Sequence, residues 1–193
     1  MATLTDDEMA RLRVELGAHV LANDATPLVG ILSIWAVIRD NVVSSTVTPT
    51  TSATAVSAAG PVTLTLASAT GYVAGQSVQL DVDAERETVT IRSVVGSTIS
   101  VICRKAHGGT YPVEVESPLT IVRGLLTDLR RLEQGDMLAA FDALGLKRVD
   151  EIEFQDGDRT AFFARAQMRL RSKLASACGV PFYAPTITRV EPY

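Results

Sequence analysis

The chain of 193 residues has little of what most catalytic and metal centres are made from, with only two cysteines, two histidines and 5% aromatic residues. Cys103 and Cys178 lie far apart in different kinds of local sequence, so their spacing gives neither a Cys-x-x-Cys redox site nor a zinc cluster built from the pair. We expect both to be reduced, packed thiols. No cofactor is predicted.

The chain also lacks an excess of either charge, with 18 basic against 22 acidic residues and a net charge of -4. This balance does not suit a protein that reads nucleic-acid sequence, so we expect any contact with DNA to be passive. The most apolar window, 28–43, contains Arg39 and Asp40 and is shorter than the roughly 20 residues of a membrane span. The first residues are polar and acidic, unlike a secretory signal. We therefore predict no contact with a membrane.

Motifs for nucleotide binding and for serine hydrolysis are missing as well. His107-Gly108-Gly109 resembles the oxyanion loop of esterases, but that loop needs a Gly-x-Ser-x-Gly elbow, which the sequence lacks. A β-turn with glycines at positive φ is the favoured interpretation. A hydrolase built around His107 is the weakest alternative, and we predict that the protein is not an enzyme.

An acidic stretch, Asp81-x-Asp83-x-Glu85, resembles the start of a calcium loop. It lacks the glycine at position six and the distal glutamate, which make the sharp turn and the bidentate contact. We predict a solvated strand end or turn in which Leu80, Val82 and Ala84 point inward, and no metal site. Calcium binding is a minor alternative.

Helical signals open the chain. Thr5-Asp6-Asp7-Glu8 is a capping-box pattern, Met9, Leu12 and Leu16 follow on one face, and Gly17 is a plausible stop. A second helix is predicted to start at Thr26-Pro27, an N-cap residue followed by proline. Trp35 should anchor its apolar stripe in the core.

The composition changes at Val43. Residues 44–60 are rich in Ser, Thr, Ala and Pro without periodicity, which predicts a linker or arm. Residues 61–117 alternate apolar and polar side chains, which predicts about five short strands in a compact antiparallel sheet or small barrel. The alternating positions are Val62/Leu64/Leu66, Val78/Leu80/Val82, Val89/Ile91, Ile99/Val101 and Val113/Val115.

The helical pattern returns at Leu119. A short helix is predicted over 135–144, and a long one from about Asp158, a good N-cap, to Cys178, with Phe162, Ala166, Leu170 and Leu174 on one face and Gly179 as the stop. Residues 181–193 should form an extended C-terminal arm. We therefore predict an α+β protein in which a discontinuous helical bundle, 1–43 and 118–180, is interrupted by an inserted β domain at 61–117.

The last helix carries a stripe of basic residues at helical spacing, Arg165, Arg169 and Lys173. A solvated face, a protein interface and contact with DNA phosphates all fit this spacing. The aromatic residues Phe182, Tyr183 and Tyr193 follow in a segment that should dock on something. These six residues are the interface candidates.

A family resemblance rests on both ends of the chain. Leu4-Thr5-Asp6-Asp7-Glu8-Met9-Ala10-Arg11-Leu12-Arg13-Val14-Glu15-Leu16-Gly17, followed by the Thr-Pro-started helix, resembles the opening of head-to-tail adaptor proteins of long-tailed phages. Lys147-Arg148-Val149-Asp150-Glu151-Ile152-Glu153-Phe154 and the stretch from Arg171 to Pro181 look like the C-terminal portion of the same group. The β module between them is similar to small insertions in phage structural proteins.

The resemblance implies a structural virion protein of the phage neck, assembled in the host cytoplasm. It implies a homo-oligomeric ring, commonly a dodecamer, that binds the portal protein on one side and a stopper or terminator protein on the tail side. DNA would pass through the channel, and no catalytic residue is implied. The alternative is another tail or surface structural protein whose β insert binds a carbohydrate or the host, with Tyr72 and Tyr111 as sugar-stacking candidates.

Overall fold

The computed structural model describes residues 2–20, 28–136, 140, 156–180 and 182, and this part of the chain is α+β. Its four helices are α1 (Asp6–Val20), α2 (Leu28–Asn41), α3 (Pro118–Glu133) and α4 (Asp156–Ala177). Its seven strands are β1 (Thr50–Ser52), β2 (Gly60–Thr65), β3 (Ser77–Leu80), β4 (Glu87–Thr90), β5 (Ser93–Val95), β6 (Thr98–Cys103) and β7 (Tyr111–Val115).

The chain divides into two compact units. The β unit consists of Met1–Thr3 and Val42–Gly124, and the helical unit consists of Leu4–Asn41 and Leu125–Tyr193. Both units are therefore discontinuous in sequence. The β unit spans 42–124 with residues 1–3, whereas we predicted an inserted β domain at 61–117.

The β unit contains two antiparallel sheets and not the barrel that we considered. The strand orders are β1-β7-β3-β4 and β2-β6-β5. A barrel needs a hydrogen-bonded ladder that continues around the whole wall. Here β1 and the residue that follows β2 share only one isolated bridge, between Ser52 and Leu66. The two sheets are therefore separate.

The five predicted strands correspond to β2, β3, β4, β6 and β7. Their alternating residues form one buried core that includes Leu64, Val78, Leu80, Ile99 and Val113. The prediction for Val82 and Ala84 is wrong, since both are exposed. Asp81 has a φ of 63°, which ends β3 and breaks the alternation.

Residues 44–60 are not a linker or arm. They contain β1, which pairs with β7, and Thr50 and Ser52 are buried. Val56 exchanges backbone hydrogen bonds with His107 at 2.8 and 2.9 Å. The segment belongs to the β unit because its backbone groups are satisfied there, even though its side chains carry no apolar pattern.

The capping box at the start of α1 is confirmed. The Thr5 N–H donates to Glu8 Oε2 at 2.8 Å, and the Glu8 N–H donates to Thr5 Oγ1 at 3.2 Å. Met9, Leu12 and Leu16 are buried as predicted. Gly17 does not stop the helix, which continues to Val20 because Gly17 keeps an ordinary helical backbone.

Within α2, Trp35 and Ile38 are buried, and the Arg13 guanidinium of α1 lies 5.9 Å from the Trp35 ring centroid. The predicted start at Thr26-Pro27 lies outside the described residues. Trp35 is therefore the core anchor that we predicted, and the Arg13 guanidinium lies over its ring.

The end of α4 is confirmed in detail. Gly179 has a φ of 70°, its N–H donates to Ser176 O, and the Val180 N–H donates to Ala175 O, which is the Schellman pattern. Ala166, Leu170 and Leu174 are buried on one face. The helix begins at Asp156, so Asp158 is inside the first turn and is not the N-cap that we predicted.

Most of the predicted 135–144 helix and of the predicted 181–193 arm lies outside the described residues. Helix α3 is confirmed, with Leu119, Val122, Leu129 and Leu132 buried. Among the described residues, no helix has the length and apolar character required to cross a bilayer.

Candidate functional site

The β unit holds a histidine buried between two carboxylates. The His107 side chain has no exposed surface, its Nδ1 lies 3.0 Å from Asp81 Oδ2, and its Nε2 lies 2.8 Å from Glu87 Oε1. The Asp81 and Glu87 side chains are themselves only 14% and 6% exposed. Three ionisable groups therefore share one small, nearly water-free volume, where unpaired charges are costly.

Backbone pairing fixes the ring of His107. Its N–H and C=O both bond to Val56, so the loop between β6 and β7 is joined to the chain that precedes β2. The ring lies 5.2 Å from the Tyr111 ring, and the Tyr111 hydroxyl donates to Thr54 O at 2.8 Å. The segment 44–60 thus covers the histidine.

Asp81 reaches the cluster from the end of β3. Its φ of 63° is unusual for a residue with a Cβ, and aspartate tolerates it better than most because its side chain can bond locally. Here Asp81 Oδ1 accepts the N–H of Val82 at 2.9 Å while Oδ2 faces His107. Both oxygens of the carboxylate therefore have partners.

Glu87 enters from the opposite side as the first residue of β4. Its Oε2 accepts the Arg104 N–H at 2.8 Å, which leaves Oε1 directed at His107. The carboxylate is thus held in position by the backbone that follows β6. A charge-assisted bond of this kind compensates part of the cost of burying the anion.

The two histidine contacts constrain the protons of the cluster. Each N–O contact needs one hydrogen, whereas a neutral imidazole carries only one. Both contacts can be hydrogen bonds only if the ring carries two protons or one of the carboxyl groups carries one.

Cys103, the last residue of β6, completes the cluster. The Sγ of Cys103, a ring nitrogen of His107 and a carboxylate oxygen of Glu87 all lie within 4.8 Å of one another. Burial raises the pKa of Cys103 to about 12, and the negative Glu87 adds to this effect. A thiol with such a pKa stays protonated near neutrality unless a cation binds its sulfur.

The turn after Asp81 is exposed, and Lys105 binds two of its backbone carbonyl groups. Lys105 Nζ donates to Ala84 O at 2.8 Å and to Arg86 O at 3.2 Å. Asp83 and Glu85 are exposed, and both oxygens of Asp81 already have partners. Within the described residues the acidic stretch therefore does not form a preformed calcium cage.

The described interface candidates, Arg165, Arg169, Lys173 and Phe182, belong to the helical unit and not to the β unit that holds this cluster. Arg165, Arg169 and Lys173 are exposed along α4, and Phe182 is partly buried. Tyr183 and Tyr193 lie outside the described residues.

The two sugar-stacking candidates are both core residues. Tyr72 and Tyr111 are 4% and 1% exposed. The Tyr72 hydroxyl donates to Val113 O at 2.7 Å, and burial raises its pKa to about 12. Neither ring offers a face to a ligand.

Glu87 is the member of the cluster that sequence reasoning missed. Because Val89 and Ile91 alternate inward, Glu87 shares their face, and an inward glutamate in a strand pattern demands a buried partner. This signal pointed to a polar site in the core. Comparison of the chain with protein-family models, with curated proteins and with solved structures found no match.

Proposed function

We propose that this chain is a structural protein of a tailed-phage particle, an adaptor in the neck ring that joins the portal to the tail. The resemblance of both chain ends to head-to-tail adaptors suggests the family. The division into a discontinuous helical unit and an inserted β unit supports the proposal, because the resemblance implies this organisation.

The observation that carries the proposal is the contact, within the helical unit, of α1 near the start of the chain with α3 and α4 in its second half. Arg171 Nε of α4 donates to Glu15 Oε2 of α1 at 3.0 Å. Arg11 of α1 pairs with Glu133 at the end of α3 at 2.5 Å. The residues on which the resemblance rests therefore include helices that pack together, although 156 positions separate Glu15 from Arg171.

The β unit has the geometry of an insertion. The Leu119 N–H donates to Val43 O at 3.3 Å, so the chain enters and leaves the two sheets at adjacent points. Ala2 and Ser44 also bond to each other there, at 2.9 Å. An insertion with adjacent ends can be accommodated by a helical frame without breaking its core.

A ring requires surfaces that meet neighbouring subunits. Val14 of α1 and Val37 of α2 are 73% and 52% exposed, and α4 presents the basic stripe. The net charge of the chain is -4, with 22 acidic residues, so a second copy can supply carboxylates to this stripe. We assign the subunit contacts to these helices and only passive contact to DNA.

The experiment is native mass spectrometry of the chain mixed with the portal protein of the same phage. We expect one adaptor ring per portal. Val14→Asp and Lys173→Glu should each prevent ring formation, whereas Val95→Asp, at an equally exposed position of the β unit, should not. No binding to the portal would contradict the proposed function, and rings that tolerate both helical variants would contradict the assigned interface.

A further inference from the structure

Three side chains of types that commonly bind metal ions lie close together inside the β unit. Glu87 begins β4, Cys103 ends β6, and His107 lies in the loop that follows. All three are buried, and their ligand atoms lie within 4.8 Å of one another. We propose that Cys103, His107 and Glu87 bind a zinc ion, with Asp81 orienting the histidine.

The donor set suits zinc. Thiolate sulfur, imidazole nitrogen and carboxylate oxygen are the three ligand types that Zn²⁺ takes in proteins. A thiolate and an imidazole together disfavour the hard cations Ca²⁺ and Mg²⁺, which prefer oxygen. Three protein ligands leave the fourth tetrahedral position for a water molecule.

The surroundings already orient two of the ligands. Asp81 Oδ2 lies on Nδ1 of His107, so Nε2 is the nitrogen that faces the cluster. A carboxylate on the distal nitrogen is the usual outer partner of a zinc-bound histidine. The Arg104 N–H holds Glu87 Oε2 and directs Oε1 towards Nε2. His107 Nε2 and Glu87 Oε1 therefore face each other, on the two sides of the position that the ion would take.

The adjustment needed to admit the ion is small. His107 Nε2 and Glu87 Oε1 are 2.8 Å apart, whereas two ligand atoms bound tetrahedrally at about 2.0 Å lie roughly 3.3 Å apart. The pair must separate by about half an ångström, and Cys103 must approach it. Side-chain rotations on fixed strands supply movements of this size.

Such an ion would join the end of β6, the start of β4 and the loop before β7. Its binding would stabilise the folded β unit, because a metal site that exists only in the folded chain adds its binding free energy to folding. Because the ligand atoms are buried, the metal should enter while the chain folds. The proposal is independent of the proposed function.

The test uses the full chain, produced in zinc-supplemented medium and purified without a metal-affinity tag. We expect about one zinc per chain by inductively coupled plasma mass spectrometry. Chain refolded with Co²⁺ should show a sulfur-to-cobalt charge-transfer band in the near ultraviolet. Cys103→Ser should remove both signals, whereas Cys178→Ser, at the other buried cysteine, should keep them.

A second pair of variants tests the orienting role. Asp81→Asn should lower the zinc affinity by about 10- to 100-fold, and Asp83→Asn, at an exposed neighbouring carboxylate, should leave it unchanged. Folding of each variant is checked by near-ultraviolet circular dichroism. Folded wild-type chain without zinc and without the cobalt band would overturn the proposal, and so would equal zinc content in Cys103→Ser.

Discussion

Glu15 of α1 and Arg171 of α4 form an ion pair, with Nε and Oε2 3.0 Å apart, in which the glutamate side chain is only 1% exposed. Arg11 lies 2.7 Å from the other oxygen of the same carboxylate. A buried carboxylate between two arginines is held by residues from both ends of the chain. The pair therefore connects the two segments from which the helical unit is built.

Removal of Arg171 should lower the free energy of unfolding, because it breaks this ion pair. Arg171→Ala leaves Glu15 buried with Arg11 as its remaining described partner, and the free energy of unfolding should fall by about 1–3 kcal/mol. Urea titration followed by circular dichroism at 222 nm measures the loss in helix. Lys173→Ala, on the exposed side of the same helix, should change stability by less than about 0.5 kcal/mol. Equal effects of the two variants would show that the ion pair contributes nothing specific.

Two glycines of the helical unit should respond in opposite directions to alanine. Gly179 has a φ of 70°, where a Cβ costs about 1–2 kcal/mol. Gly17 lies inside α1 with open space around its Cβ position, so alanine there should stabilise the protein by about 0.5–1 kcal/mol. Thermal unfolding of the two variants distinguishes these effects. A gain in stability for Gly179→Ala would contradict the left-handed end of α4.

The buried thiol of Cys178 predicts a loss of stability in alkali. Burial raises the pKa of Cys178 to about 12 from an ordinary 9.0. Between these values the unfolded chain loses a proton that the folded chain retains, so stability is fully present below pH 9 and declines as the pH rises towards 12. The slope that this thiol contributes is at most about 1.4 kcal/mol per pH unit.

Denaturant titrations at pH 8, 9.5 and 10.5 check this dependence. Cys178→Ser should flatten the decline, because this thiol no longer titrates. A thiol reagent at pH 8 should react slowly with Cys178 in the native chain and quickly after unfolding. Rapid reaction of Cys178 in the native state would contradict its burial.

The sequence predicted those elements in which local pattern and tertiary packing agree. The capping box of Thr5 and Glu8 is a local motif, and the alternation in β2, β3, β4, β6 and β7 coincides with one buried face. β1 was missed because Thr50 and Ser52 are buried polar residues, so their alternation has no hydropathy signal. Gly17 was mistaken for a stop because glycine ends a helix only where the backbone becomes left-handed.

The candidate site as a whole could not be predicted from the sequence. Asp81 and Glu87 lie at the paired strands β3 and β4 of one sheet, whereas Cys103 ends β6 of the other sheet and His107 lies in the loop after it. The four residues therefore meet only because the two sheets pack together, which no local pattern encodes. Each residue taken alone had an ordinary explanation: a turn, a solvated strand end or a packed thiol. The inward position of Glu87 was the single local sign that the core contains a polar cluster.

The proposed place of this protein in a particle is tested most directly by electron cryo-microscopy of purified phage particles. The account predicts density for this chain in a ring at the neck, below the portal and above the tail, with the helices of neighbouring copies in contact. Density for the chain in the tail tube, the tail tip or the capsid lattice, or its absence from the particle, would contradict the account.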